Sequence, residues 1–459
     1  MKNSMSKWCA FAACVLIPSV GFAADMDQKE ILNRIDQLQS QISQQQAVID
    51  SLKSQLESSE SVSQQDVSKM VRSEVDAAVE KGFAQVKDAG VISLPSHIDG
   101  LKLKSDLRLR YEYRSMDGDS ENSGSWGEDT RQKSRFRHRA RFGGVWTNSA
   151  ENWEIGAGLE IGSSSGTSAN ASWNDNGMFE STDVYLDYAY AKHKWDMLSL
   201  TLGQHKNPYE SSFILWDSDL RPTGATLQLK TDTALFATVG AYNVRSDSRV
   251  AATEEQSVAS MYAGQIGAKL ENEEVSALVA LGYYHYDAEV SEYQFGLSND
   301  DYQYQIGDIY GSIGTKIGDV KLSGYGQYAV NFGGDDDQTQ LASTAFTGAV
   351  NTPAGYDSED NDQAWVVGID AGIGKFGFGY AYARIEGDSV PAFFADSDFG
   401  DGLPDDAVNA QGHILKASYK ITDHLKFGFE ADFTELIEDD NVTDDLEVAL
   451  YQFDLQYKF

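Results

Sequence analysis

At the carboxyl end of the chain, Tyr451, Phe453, Leu455, Tyr457 and Phe459 alternate with Gln452, Asp454, Gln456 and Lys458. Extended backbone turns successive side chains to opposite faces, so this segment is a strand with one apolar and one polar face. The same period of two begins at Leu101, where Leu101, Leu103, Leu107, Leu109, Tyr111 and Tyr113 share one face, and Lys102, Lys104, Asp106, Arg108, Arg110, Glu112 and Arg114 the other. Sixteen such segments are predicted: 101–114, 131–146, 152–161, 180–192, 196–206, 223–231, 233–244, 259–271, 273–287, 303–317, 319–331, 362–373, 375–386, 411–421, 424–435 and 446–459. Long polar connections, such as 332–361 and 387–410, alternate with tight turns such as Thr231–Thr233, Glu271–Glu273, Gly318–Asp319 and Thr422–Asp423. A soluble sheet has no reason to sort its loops by length at every second connection. A membrane barrel has short turns on one side, long loops on the other, and an even strand number. The predicted fold is therefore all-β: a 16-stranded antiparallel transmembrane β-barrel over residues 101–459.

Before Leu101 the pattern is of other kinds. Lys2 and Lys7, an apolar run from Trp8 to Val20, and small residues at Gly21, Ala23 and Ala24 read as a cleaved secretory signal, residues 1–24. Cys9 and Cys14 both lie within it, so the mature chain is expected to hold no disulfide. Over residues 25–60, Ile31, Ile35, Leu38, Ile42, Gln45, Ile49, Leu52 and Leu56 follow the four-and-three spacing of a heptad seam, with polar residues between them. That spacing predicts an α-helical coiled coil whose Gln45 layer fixes the register, or else a surface helix packed on the barrel. Isoleucine at both kinds of core position favours a homotrimer. Val67, Val71, Val75 and Val79 suggest a second helix, and Gly90 and Pro95 a linker, within residues 61–100.

Charge then narrows the partners. A formal net charge of −35, from 71 acidic against 36 basic residues, excludes nucleic acid, whose phosphates need a basic surface. Against that acidic excess, Arg131, Arg135, Arg137, Arg139 and Arg141 share one face of the second strand with Lys133, and Arg108, Arg110 and Arg114 share the polar face of the first. Charge facing lipid near the bilayer midplane costs about 2–4 kcal/mol per residue, so these arginines are expected to form a basic ladder in the lumen. Two roles fit: an anion-attracting wall at a constriction, or solvation of the lumen by pairing with Glu154, Glu160 or Asp187.

The connection Lys206–Pro222 places Phe213, Ile214, Leu215 and Trp216 together in a loop, where exposure to water is unfavourable. It is predicted to fold inward as a constriction, setting Glu210, Asp217 and Asp219 across the pore from the arginines, or alternatively to form a lid at the rim or a subunit contact. Other long loops are densely acidic: Asp335 to Asp337, Glu359, Asp360 and Asp362, Asp396, Asp398, Asp401, Asp405 and Asp406, and Glu438 to Asp440. Oxygen clusters can hold divalent cations that bridge to lipopolysaccharide phosphates, but none here has the spacing of a calcium loop. A solvated acidic rim is the plainer reading, and neither metal nor cofactor is expected. The seven histidines are scattered, and no nucleophile elbow, His-Glu-x-x-His or phosphate loop occurs, so an enzyme is not expected.

The stretches SDLRLRYEYR (Ser105–Arg114), SRFRHRARFG, LTLGQHKNPY (Leu200–Tyr209) and LWDSDLRPTGATLQL (Leu215–Leu229) resemble the putative porin family of Gram-negative outer membranes. The resemblance implies passive diffusion of small hydrophilic solutes or ions through a water-filled channel, with the amino-terminal coiled coil in the periplasm. It also implies that the terminal aromatic, Phe459, is read by the barrel-assembly machinery. The coiled-coil plan is similar to that of anion-selective and sugar-selective porins, but their lysine-rich or aromatic slide residues are not identifiable, which leaves the solute open. The alternative is an adhesin or envelope tether in which the barrel anchors the coiled coil.

Overall fold

The computed structural model describes residues 100–119, 132–163, 166–174, 178–179, 181–246, 258–272, 274–287, 304–333, 359–403, 407–437 and 444–458. The expected signal, coiled coil, second helix and linker lie outside the described residues, as do Arg131 and Phe459. Among the described residues the strands are β1 (Leu101–Asp119), β2 (Gln132–Asn148), β3 (Trp153–Ile161), β4 (Ala171–Ser172), β5 (Val184–Trp195), β6 (Leu198–Gln204), β7 (Thr223–Lys230), β8 (Leu235–Ser246) and β9 (Val258–Glu271). They continue as β10 (Val275–Asp287), β11 (Gln305–Ile317), β12 (Val320–Asn331), β13 (Gln363–Ile373), β14 (Phe376–Ile385), β15 (Ala410–Lys420), β16 (Leu425–Leu436) and β17 (Asp444–Lys458).

Sixteen of these strands close a barrel, every neighbour antiparallel, while the two-residue β4 is a flap on β2 beside Arg137 and His138. Closure is made by β1 and β17, in register from Asp106 opposite Lys458 to Arg114 opposite Leu450. A closed ladder leaves no strand edge unpaired, as a hydrocarbon surround requires. The tight turns gather at one end and the long connections at the other. In two of the turns Gly318 and Gly374 adopt φ of +61° and +56° with open space where a Cβ would stand, so backbone freedom, not crowding, places glycine there.

Alternation sorts the side chains as the period of two predicts. Leu103, Leu107, Leu109, Phe136 and Phe142 are exposed on the outside, continuing around the barrel through Ile266, Leu281, Ile313, Val367 and Phe378. An apolar surface of this extent is unfavourable in water and suited to lipid. The inner wall departs from simple alternation in its outer half, towards the long loops. There Tyr284, Ile306, Val366 and Ile385 point inward and are fully or almost fully buried. What buries them is chain folded into the barrel.

Candidate functional site

The register of β1 and β2 sets Arg108 opposite Arg139 and Arg110 opposite Arg137 on the inner face. Like charges at directly opposed positions are destabilising, so the ladder stands only if carboxylates are interleaved with it. They are. Asp454 of β17 accepts from Arg110 Nε at 2.8 Å and lies 3.6 Å from Arg108, and Asp398 accepts from Arg110 Nη1 at 2.9 Å. Glu112, between the rungs, takes Arg137 at 3.2 Å and also bonds Arg135. Asp401 accepts from Arg114 at 2.9 Å, and Asp106 lies 3.2 Å from Arg139. Arg141 bonds Glu160 and lies 3.7 Å from Asp187, which also accepts from Arg221 at 2.8 Å. The wall is thus an interlocked network of both signs.

Asp219 stands within this network. It lies 3.2 Å from Arg139 and 3.0 Å from Arg141, and it accepts the Ala169 N–H at 3.2 Å. The expected separation of loop acids and arginines across the pore therefore does not hold for Asp219, because ion pairing draws this end of the loop onto the basic strand. Asp217 is buried at 3 % exposure and caps the Asp219 N–H. Glu210 is held by its backbone, its N–H donating to Gln265 Oε1 and its carbonyl accepting from Gln265 Nε2, both at 2.8 Å.

The loop 205–222 does enter the barrel. Ile214 and Leu215 are fully buried, the Ser212 N–H and Oγ both donate to Gln327 of β12 at 2.7 and 2.6 Å, and Tyr209 stacks edge-on to Tyr284 at 5.4 Å. A second loop, 386–409, enters with it. Each donates a backbone bond to the other: Asp217 N–H to the Phe394 carbonyl at 2.6 Å, and Asp396 N–H to the Phe213 carbonyl at 3.0 Å. Trp216 meets Phe394 edge-on at 5.2 Å, Phe213 meets Phe399 at 5.6 Å, and Phe394 in turn reaches Tyr286 of the wall at 5.1 Å. Together they form an apolar plug spanning from the arginine strands to β10–β14.

This second loop corrects the reading of Asp396, Asp398 and Asp401 as a solvated outer rim. Asp398 and Asp401 are the counterions of Arg110 and Arg114. The available signal was Val390, Phe393, Phe394 and Phe399 inside an acidic loop, the same kind of apolar cluster that marks 205–222. Burial sets the loop carboxyls apart. It pushes Asp217 up to about 9, with Asp396 adding to the shift, and it pushes Asp396 up to about 7 with help from Asp398. Burial also acts on Asp398, but Arg110 overcomes it and holds that carboxyl at about 2. On Asp219 the nearby Arg139 and Arg141 outweigh burial and keep the group below the usual carboxylate range.

Among the described residues two cavities lie beside and beneath the plug. One, about 760 Å³, lies against β5–β9 and is lined by Lys192, His205, Glu210, Gln228 and Lys230 among others. The other, about 400 Å³, lies against β12–β17 and is lined by Lys321, Asp370, Lys416, Lys426, Glu430 and Gln452 among others. Both offer charged, amide and hydroxyl groups to water. Among the described residues no group of three or more His, Cys, Asp or Glu is placed to hold a metal ion.

Replacing Asp219 by Asn tests the clamp. Breaking a buried ion pair by neutralising one partner costs about 3–5 kcal/mol, here shared between Arg139 and Arg141. The expected result is faster tryptic cleavage after Lys206 in the loop, with strand content by circular dichroism unchanged. Equal cleavage of variant and parent would show that the apolar plug alone holds the loop.

A closed sixteen-stranded barrel with loops folded into a charged lumen defines a channel-type membrane barrel. The chain belongs to the family described as Putative porin, which matches residues 23–308. It is an outer-membrane porin. No curated protein matches the sequence. Among solved structures the chain is similar to OprB of Pseudomonas putida, at 12 % identity over 78 % of this chain and 94 % of that one with a TM-score of 0.48. It is similar to OmpF of Salmonella typhi at 12 % identity, covering 78 % and 97 %, with a TM-score of 0.46. It is also similar to the outer membrane channel DcaP of Acinetobacter baumannii at 13 % identity, covering 78 % and 98 %, with a TM-score of 0.42.

Proposed function

We propose that this porin passes small hydrophilic solutes or ions by passive diffusion, through a lumen narrowed by the two inward loops and graded by the arginine network. The observation that carries this reading is the pairing of a plug with polar cavities beside it. A barrel serving only as an anchor gains nothing from luminal Lys, Glu, Gln and Ser held open to water. The arginines Arg108, Arg110, Arg114, Arg135, Arg137, Arg139 and Arg141, interleaved with Asp219, Asp398 and Asp454, set a local field of alternating sign. Such a field orients polar solutes and disfavours apolar ones. In this reading the tight turns face the periplasm and the amino-terminal segment, with its heptad seam Ile31–Leu56, extends there as a trimeric coiled coil. The long acidic loops face lipopolysaccharide, and the last strand, ending on Phe459, engages the assembly machinery.

Purified protein in a planar bilayer is expected to give stepwise openings of small unit conductance, grouped in threes. A silent bilayer, with insertion verified by protease protection, would refute the channel reading and leave the anchor.

A further inference from the structure

Beneath the two loops, near the tight turns, the inner wall carries lysines set directly opposite one another. Lys316 of β11 opposes Lys321 of β12, and Lys420 of β15 opposes Lys426 of β16. Their neighbours Ile313, Ile317, Leu415, Tyr419 and Phe427 are exposed on the lipid face, so alternation turns all four lysines inward. Lys104 of β1 and Lys458 of β17 continue the same collar. Among the described residues none of these six side chains forms an ion pair. Directly opposed like charges destabilise a sheet, and a chain with 71 acidic and 36 basic residues has carboxylates to spare for pairing. Unpaired lysines gathered in one place are therefore retained against their own repulsion.

Lys321 and Lys426 line the 400 Å³ cavity together with Ser323, Ser418 and Gln456. Most carboxylates of that cavity are already paired with other cations: Glu430 holds Lys416 at 2.6 Å, and Asp454 is taken by Arg110. Asp370 is the exception, without an ion pair among the described residues. Side chains opposed across a strand pair stand about 5 Å apart at Cβ, so a compact anion of charge two or more can bridge two ammonium groups where a monovalent ion meets one.

We propose that this collar is a binding site for small multivalent anions, phosphorylated or polycarboxylated, on the periplasmic side of the plug. The proposal rests on the channel reading only for how the solute arrives. The probes are inorganic pyrophosphate and citrate, titrated calorimetrically into the full-length protein in detergent, with the variant K316Q/K321Q/K420Q/K426Q as comparison. That variant removes repulsion and is expected to fold at least as well as the parent. The parent should bind at low salt, with affinity falling as salt rises, and the variant should bind about tenfold more weakly or worse, the scale on which a focused luminal charge enriches a counter-ion. Tighter binding of pyrophosphate assigns a phosphorylated solute, and tighter binding of citrate a polycarboxylate. No binding to the parent, or equal binding to the variant, overturns the proposal. Binding by a protein that stays silent in the bilayer would refute the channel and leave this site standing.

Discussion

Replacing Trp216 and Phe394 together by alanine is expected to raise the single-channel conductance several-fold while the barrel stays folded. The two rings meet at 5.2 Å with 4 % and 7 % exposure, and they join loop 205–222 to loop 386–409 inside the barrel. Truncating a buried aromatic to alanine costs about 3–5 kcal/mol, and here that loss falls on the docked state of the loops. The reciprocal backbone bonds through Asp217 and Asp396 remain, but two hydrogen bonds in a wet lumen contribute about 0.5–1.5 kcal/mol each. The docked state should therefore yield, and current should rise with added flicker. The sixteen-strand ladder uses neither residue, so strand content and heat-dependent gel mobility should match the parent. Alanine in place of the lipid-facing Phe378 serves as the control. Unchanged conductance in the double variant would show that the plug does not limit flow.

The second large effect is on pH. Asp217 and Asp396 sit at the junction of the loops, with carboxyls pushed to about 9 and about 7, Asp217 by burial and by Asp396, and Asp396 by burial and by Asp398. If the loops undock into water, both return towards the ordinary value of about 4. The docked state therefore binds more protons than the undocked one, and its stability declines as pH rises from about 4 until the docked groups themselves ionise, by about 1.4 kcal/mol per pH unit for each group. Asp219 acts in the opposite sense. Its depressed carboxyl, like that of Asp398, contributes stability above about pH 4 that is lost as pH falls through the docked value. The cations facing the junction are Arg110, 2.9 Å from Asp398, and Lys416, paired with Glu430 at 2.6 Å. The plug should thus be tightest near pH 4 and loosen progressively above it. Conductance is expected to be lowest near pH 4 and to climb from there to about pH 9, with Asp217 alone acting above about pH 7. Asp217→Asn should flatten the upper part of that climb, and a flat profile in the parent would refute a proton-held junction.

How much of this is written locally in the chain differs from part to part. The barrel is, because each strand's alternation needs only the residues within it. The pairing of β11 with β12, for instance, follows from the alternation within segments 303–317 and 319–331 and the turn at Gly318 and Asp319 between them. The inward course of 205–222 was likewise legible in Phe213–Trp216. The arginine network was legible only by half. Arg108–Arg114 and Arg135–Arg141 announce a luminal face, but their partners Asp219, Asp398, Asp401 and Asp454 lie between 78 and 346 residues away along the chain, from Asp219 and Arg141 to Asp454 and Arg108. No local pattern distinguishes a carboxylate that will turn inward from one that stays at the rim. For loop 386–409 the acidic residues that suggest solvent are the ones that pair, and Phe394 and Phe399 carry the more telling signal.

The apolar inner wall under the plug has a consequence for assembly. Tyr284, Ile306, Val366 and Ile385 face inward, while Leu281, Ile309, Val367 and Tyr380 on the same four strands, β10, β11, β13 and β14, face out. These strands are sticky on both sides, and the loops that cover their inner faces hang from β6–β7 and β14–β15. Until the barrel has closed, neither loop has a lumen to enter. The chain in transit through the periplasm therefore carries a stretch that is apolar on both faces in the loop-ward half of these strands, so its escort, and the temperature at which it begins to clump, should be governed by β10 to β14 more than by the outer band as a whole.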